Sequence, residues 1–274
     1  MKQSALRIHS WGGFGSQLNA LAFALEVRDI YPNRKLQIVI HTSGVTKRDF
    51  ELNSIIPIGI DVEIVDDYTS KKFGGEPRRR LRNLSKVFLE SSKLIVSPNS
   101  TLDMVRVKPW TISSRGHYAY ILHSPQVLQR ITQLLGIDGA ETANNSRSLI
   151  HYRLGDLLQL DKGFTPSSSI LRLLSTLHED NWSIASDSIE DARRFLQGGF
   201  REPGLIRFEN LSSLQVVRFG VLAENFIGTN SKLSIWITIL RAFKRKPNTY
   251  IPSSMKQTLQ NTIPKAESEL ITYY

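Results

Sequence analysis

Twice along its length the chain sets a short apolar strand directly ahead of a glycine turn. The first instance is Leu6-Arg7-Ile8-His9-Ser10-Trp11, followed by Gly12-Gly13-Phe14-Gly15-Ser16-Gln17. Leu18, Leu21, Ala22 and Leu25 then recur at helical spacing. The second is Leu149-Ile150-His151-Tyr152-Arg153-Leu154, closed by Gly155-Asp156. A strand leading through a tight turn into a helix is the unit from which parallel α/β sheets are built. Glycine lets the backbone approach a ligand closely, and the helix start beyond it favours negative charge. A turn that needs glycine for its own geometry is the other reading.

The second strand carries the stronger chemical signal. Alternate strand residues share a face, so Ile150 and Tyr152 lie together and His151 and Arg153 lie together. An Arg and a His at the carboxyl end of a buried strand make a site for an anion, because a guanidinium offers a planar fork of donors to phosphate oxygens. Gly155 permits a turn with positive φ, and Asp156 can pin that turn. An edge strand with a solvated Arg is the alternative.

The remaining pattern is again strand and helix in alternation. Leu36 to Ile40, Asp61 to Asp67 and Leu94 to Ser97 read as strands, and Ser124 to Leu135 as a helix. The polar stretch Gly139 to Ser148 suggests a domain junction, giving domains 1–145 and 146–274. After the strand at Leu149 the series starts over. It predicts a helix over Ser167 to His178, a strand over Trp182 to Ser186, and a helix to Leu196 that Ser188 could cap. A strand over Leu205 to Phe208, a helix over Leu211 to Ala223 and a short strand over Asn225 to Gly228 follow. Thr229-Asn230-Ser231-Lys232-Leu233-Ser234-Ile235-Trp236 opens a last long helix, apolar nearly all round and so expected to be buried. That start is a second anion-site candidate, or a plain N-cap by Asn230 or Ser231. After Pro247 the expectation is a surface segment with a weak helix near Pro252 to Leu259.

Composition narrows the function. The 274 residues suffice for one large domain or two modest ones, and the absence of cysteine excludes disulfide and thiolate chemistry. A formal net charge of +10 favours an anionic partner. The most basic stretch runs from Lys71 to Lys86, with only Phe73 and Phe88 as aromatic company and no nucleic-acid motif, so no nucleic-acid partner is expected. A dinucleotide fingerprint fails: Gly13 and Gly15 fit it, but Leu18 takes its last glycine, and the second strand ends in His41 instead of an acid. Asp66-Asp67 could bind a metal or be solvated strand-end acids. Neither a signal peptide nor an apolar run of about 20 residues is evident. The expected location is the cytoplasm, with the basic balance allowing peripheral contact with an anionic membrane.

Four segments together resemble the α-1,2-fucosyltransferase family and its relatives forming α-1,6- and protein-O-fucose linkages. Gly12-Gly13-Phe14-Gly15-Ser16-Gln17 resembles that family's G-G-x-G-N-Q, and His151-Tyr152-Arg153-Leu154-Gly155-Asp156 its H-x-R-x-G-D. Ser186-Asp187-Ser188-Ile189-Glu190 is similar to S-D-x-x-E, and Asn230-Ser231 with Ser234 and Trp236 to N-S-x-x-S-x-W. Gly116-His117-Tyr118 is a weaker echo. Ser16 stands where the family has Asn, with a shorter reach.

The resemblance implies an α/β fold of GT-B type, two Rossmann-like domains facing across a cleft. It implies GDP-fucose as donor, a glycan acceptor, inversion at the anomeric carbon and no cofactor or obligatory metal. By the same resemblance Arg153 would hold the β-phosphate and His151 that phosphate or the fucose ring. Ser231 and Ser234 would donate from the helix start, beside Asn230. Ser186 and Asp187 would lie on the donor, with Asp187 on guanine or ribose, and Asp156 would mainly fix its own loop. Gly13, Gly15, Ser16 and Gln17 would form the facing wall near fucose and acceptor. No general base stands out; His9, Glu26 and Asp29 are candidates by proximity to the glycine turn.

Overall fold

A computed structural model describes residues 5–42, 49–66, 89–138, 147–159, 163–177, 181–196 and 206–274. The chain divides into two compact units, Met1–Leu128 and Gln129–Tyr274. Most of the stretch expected to hold the junction, 139–146, lies outside the described residues, as do the basic run from Lys71 to Lys86 and Asp67.

Unit 1 is built on β1 (Leu6–Trp11), β2 (Leu36–His41), β3 (Ile60–Val65), β4 (Ile95–Val96) and β5 (Ser113–Ser114). They form a five-stranded sheet in the order β3-β2-β1-β5-β4. Every pairing is parallel. Helix α1 (Phe14–Ile30) joins β1 to β2. Its Leu18, Leu21, Ala22 and Leu25 are buried as their spacing predicts, and so are Phe23 and Ala24. Gly12 makes the turn possible at φ +106°, a conformation that side-chain-bearing residues rarely adopt. Helix α2 (Pro125–Leu134), within which the division between the units falls, comes close to the expected Ser124 to Leu135. β5 was not anticipated: two serines carry no hydrophobic pattern, yet they pair between β1 and β4.

Unit 2 carries β6 (Ser148–Tyr152), β7 (Trp182–Ser186), β8 (Ile206–Glu209), β9 (Phe226–Gly228), β10 (Thr249–Ile251) and β11 (Ile271–Tyr273). Their order is β11-β10-β9-β6-β7-β8, with parallel pairings throughout. The connecting helices are α3 (Gly155–Gln159), α4 (Ser167–Leu174), α5 (Ile189–Leu196), α6 (Ser213–Leu222), α7 (Lys232–Phe243) and α8 (Lys256–Thr262). The chain winds outward from β6 through β7 to β8, then starts again at β9 and winds the other way. The direction of winding therefore reverses between β6 and β9. In open parallel sheets ligands bind outside the carboxyl ends of the strands at this point.

β6 is central and buried at all five positions, which overturns the edge-strand reading of Arg153. Ile150, Tyr152 and Leu154 pack with Ile170, Trp182, Ile184, Ala192, Leu196 and Ile227 in one core. α7 is buried nearly all round, as its composition predicts; Trp236, Ile237 and Leu240 are fully covered. Buried Arg241 donates from Nη1 to the carbonyls of Gly220 (3.0 Å) and Ala223 (2.6 Å), and from Nε to Thr249 Oγ1 (2.8 Å). The segment after Pro247 corrects the sequence reading. It supplies β10 and β11, and its helix is Lys256–Thr262. Strands of three residues are too short to show alternation. Among the described residues no helix is long and apolar enough to cross a membrane.

Candidate functional site

The residues of two sequence segments meet where the winding of the second sheet reverses. His151 pairs in register with Gly228 of β9, so the ends of β6 and β9 emerge side by side. Thr229, the next residue, bridges them: its hydroxyl donates to the His151 carbonyl (2.9 Å) and accepts from the Arg153 amide (2.8 Å). Ser234 Oγ accepts from the Thr229 amide (3.1 Å) and lies 2.8 Å from His151 Nδ1. His151 and Ser234, 83 residues apart, thus share a buried hydrogen bond. Burial and then the nearby Arg153 guanidinium lower the His151 pKa to about 3. At neutral pH the imidazole is uncharged, offering a hydrogen bond but no positive charge.

The charge at the strand end belongs to Arg153. Its Nη1 pairs with Asp187 and its Nη2 with Asp156. Asp187 also accepts from the Leu154 amide through Oδ1 at 2.8 Å. Gly155 does not take the positive φ expected of it but opens α3, and its need for glycine is steric. A Cβ there would lie 2.2 Å from Asp187 Oδ2, where no side chain fits while the carboxylate keeps its place. Asp187 is therefore committed to the Arg153 loop, and Asp156 pairs with Arg153 from the first turn of α3. A guanidinium carries five donors, and among the described residues these two ion pairs engage one on each Nη.

α7 begins at the same place. Ser231 is its N-cap, accepting from the Ser234 amide at 3.0 Å. Asn230 points elsewhere, donating through Nδ2 to the Gly163 carbonyl (2.7 Å). Its amide donates to Thr165 Oγ1 (3.2 Å), and Tyr152 donates to the Thr165 carbonyl (3.1 Å). The loop before α4 is thereby fastened to the ends of β6 and β9. Lys232 opens the helix, and burial lowers its pKa. A helix of 12 residues directs its amide dipoles at this point, and a cation beside it strengthens the attraction for an anion.

The other candidates are placed differently. Ser186 makes a local turn, accepting from the Ser188 amide (3.1 Å). Ser188 bonds the Asp191 carboxylate (2.7 Å) ahead of α5. In unit 1, Gly13 is the N-cap of α1, and Gly15 and Ser16 lie in its first turn. Gln17 is fully buried and committed to the backbone: Nε2 donates to the Asp49 carbonyl (2.7 Å), and Oε1 accepts from the Glu51 amide (3.0 Å). Two base candidates are far from the turn. Glu26 accepts from the Ser124 amide (2.7 Å) near the far end of α1, and Asp29 is a turn further on. At 1.5 Å per residue, Glu26 lies about 18 Å along the helix from Phe14. His9 is near the turn. Asp66 of the paired acids accepts from Thr42 Oγ1 at 2.9 Å.

The structure thus gathers His151, Arg153, Asp156, Asp187, Ser231 and Ser234 in one unit. It adds Thr229 and Lys232, which the motif reading passed over. Their signal is positional: Thr229 directly follows the strand beside β6, and Lys232 opens the helix after it.

No family model matches the chain, and no curated protein matches it. Solved structures do. Escherichia coli heptosyltransferase WaaC with ADP is 12% identical, covering 95% of this chain and 91% of its own, at a TM-score of 0.51. E. coli ADP-heptose LPS heptosyltransferase II is also 12% identical, covering 98% and 90%, at 0.47. The fucosyltransferase NodZ from Bradyrhizobium is 14% identical, covering 88% and 94%, at 0.44. The fold class is that of the GT-B glycosyltransferases, with two parallel-sheet α/β units.

Proposed function

We propose that this chain is an inverting glycosyltransferase that moves L-fucose from GDP-fucose to a glycan hydroxyl, in an α-1,2-type linkage. The observation that carries the proposal is the meeting of His151 and Arg153 with Thr229, Ser231 and Ser234 at the second sheet's reversal point. His151, Arg153, Ser231 and Ser234 come from two of the segments that resemble the fucosyltransferases, and with Thr229 they form one hydrogen-bonded unit at the start of α7.

In this reading the diphosphate lies against the α7 start and Arg153. As the sugar–phosphate bond breaks, negative charge builds on the β-phosphate. Fixed donors aimed at that oxygen stabilise the transition state without having to reorganise. Arg153 supplies the donors left outside its two ion pairs. Asp156 and Asp187 are positioning residues that hold the guanidinium plane. Ser231 and the first-turn amides of α7 contribute neutral donors. His151 orients Ser234 and adds no charge. Gly13 and Ser16 lie at the start of α1, and the resemblance assigns them to the acceptor.

GDP release from GDP-fucose, measured with and without an oligosaccharide panel, tests the assignment. Arg153→Ala should lower turnover by about 10²–10³-fold. Arg153→Lys should fall substantially too, because Lys keeps the charge and loses the fork. Wild-type turnover in folded Arg153→Ala protein would refute the role of Arg153. Turnover of GDP-mannose in place of GDP-fucose would replace the donor while leaving the phosphate site in force.

A further inference from the structure

Unit 1 sets a carboxylate beside the glycine turn, and it comes from a segment that carries no motif. Glu51 Oε1 accepts from the amide of Phe14, the first residue of α1, at 3.2 Å. Gln17, one turn further into that helix, holds the segment in place. Its buried side chain donates from Nε2 to the Asp49 carbonyl (2.7 Å) and accepts at Oε1 from the Glu51 amide (3.0 Å). Leu52, the next residue, is fully buried. The backbone is thus gripped on both sides of Phe50, and the direction in which the Glu51 side chain leaves it is fixed. Glu51 itself is partly exposed.

Capping α1 accounts for one carboxylate oxygen. Among the described residues the other, Oε2, has no hydrogen-bond or ion-pair partner. Gly13 supplies a second, independent observation. Its φ of −74° and ψ of −170° are extended backbone that any residue adopts. A Cβ there would meet, among the described residues, only Glu51 Oε1 within 4 Å, at an ordinary contact distance of 3.8 Å. Gly12 needs glycine for its positive φ, but neither backbone nor packing asks for it at Gly13. What the missing side chain leaves is open space against the Glu51 carboxylate.

The proposed transfer needs a group to take the acceptor's proton. Glu26 and Asp29 lie far along α1, and His9 is 5% exposed and bonded to His41. A carboxylate with one oxygen anchored, the other unpartnered and room beside it meets the geometric requirement for a general base. We propose that Glu51 is the general base of this transfer and that Gly13 leaves room for the acceptor hydroxyl; both roles rest on the proposed fucosyl transfer. The acceptor oxygen bonds to the anomeric carbon as its proton passes to Glu51 Oε2. The bond from the anomeric carbon to the β-phosphate oxygen breaks, and its electron pair leaves with GDP. The Glu51 carboxyl then returns the proton to water.

The test follows GDP release from GDP-fucose by the full chain, in water alone and with methyl β-galactopyranoside, methyl β-glucopyranoside or methyl α-mannopyranoside at millimolar concentrations. Glu51→Gln keeps an oxygen for the Phe14 amide and cannot serve as base. Its melting temperature, and the shift that GDP adds, should match wild type. Its kcat should fall by about 10²–10⁴-fold, with the KM for GDP-fucose little changed. Glu51→Ala loses cap and base together, and added formate should restore part of its turnover. Gly13→Ala should melt no lower than wild type and should raise the KM for the glycoside. Wild-type turnover in Glu51→Gln overturns the assignment of the base while the transfer reading stands. An unchanged glycoside KM in Gly13→Ala removes the role of that space. Wild-type protein that releases GDP under none of these conditions removes the transfer reading itself, and the base with it.

Discussion

Acidification should destabilise each unit through one identifiable histidine. His9 in unit 1 and His151 in unit 2 are both held neutral, with pKa values lowered from 6.5 to about 4 and about 3. Between pH 6.5 and those values the unfolded chain binds the proton and the folded chain does not, so stability rises with pH across that window. The contribution is intact above pH 6.5 and is lost as the pH falls. At pH 5 the loss from each group, relative to pH 8, is about 2 kcal/mol. Both histidines use Nδ1 for their hydrogen bond, to His41 and to Ser234 respectively, so Asn is the replacement that keeps a polar atom in place. Hydrogen exchange of peptides spanning β1 and β6, corrected for its intrinsic pH dependence, reads the two units separately. The opening free energy of β6 should drop between pH 8 and pH 5 by about 2 kcal/mol less in His151→Asn than in wild type. His9→Asn should do the same for β1. An unchanged pH difference in either variant would refute the neutral-histidine assignment for that unit.

Other expectations follow from single contacts. Gly155→Ala drives a methyl group into Asp187, so it should cost about 2–3 kcal/mol through the lost amide and guanidinium bonds, read as a lowered melting temperature. The double variant with Asp187→Ala should be less destabilised than the sum of the two single changes, because they break the same contacts. Ser231→Ala removes the cap of α7 and should cost about 1 kcal/mol, with Ser231→Gly only a few tenths. Equal costs for the two would mean that the Ser231 hydroxyl does not cap the helix.

Much of the second unit is legible in the sequence because its strands are compact apolar runs. Ser148 to Tyr152 and Trp182 to Ser186 are buried through most of their length, as in the interior of a parallel sheet. The weaker strands escaped for a physical reason. Ser113–Ser114, Thr249–Ile251 and Ile271–Tyr273 are held by their neighbours' hydrogen bonds and have no pattern of their own. The candidate site divides along the same line. His151, Arg153 and the start of α7 stand out as residue types at strand and helix ends. Their partners depend on register and loop packing. Asp187 reaches the Leu154 amide across 33 residues, and Thr229 crosses 76 to the Arg153 amide. His41 stands out in the sequence only as the absence of an acid at the end of β2. Pairing with Trp11 and His9 is a property of the sheet.

The central claim is that the ends of β6 and β9, with the start of α7, hold the diphosphate of a guanine nucleotide sugar. It is tested most directly by the thermal melting of the purified protein with GDP, GDP-fucose, GDP-mannose and UDP-sugars. A ligand that binds only the folded state raises its apparent stability, by about 2.7 kcal/mol at a hundred times its dissociation constant. The account predicts a rise with GDP and GDP-fucose, none with UDP-sugars, and a reduced rise in Arg153→Lys. No shift with any nucleotide at millimolar concentration would contradict it.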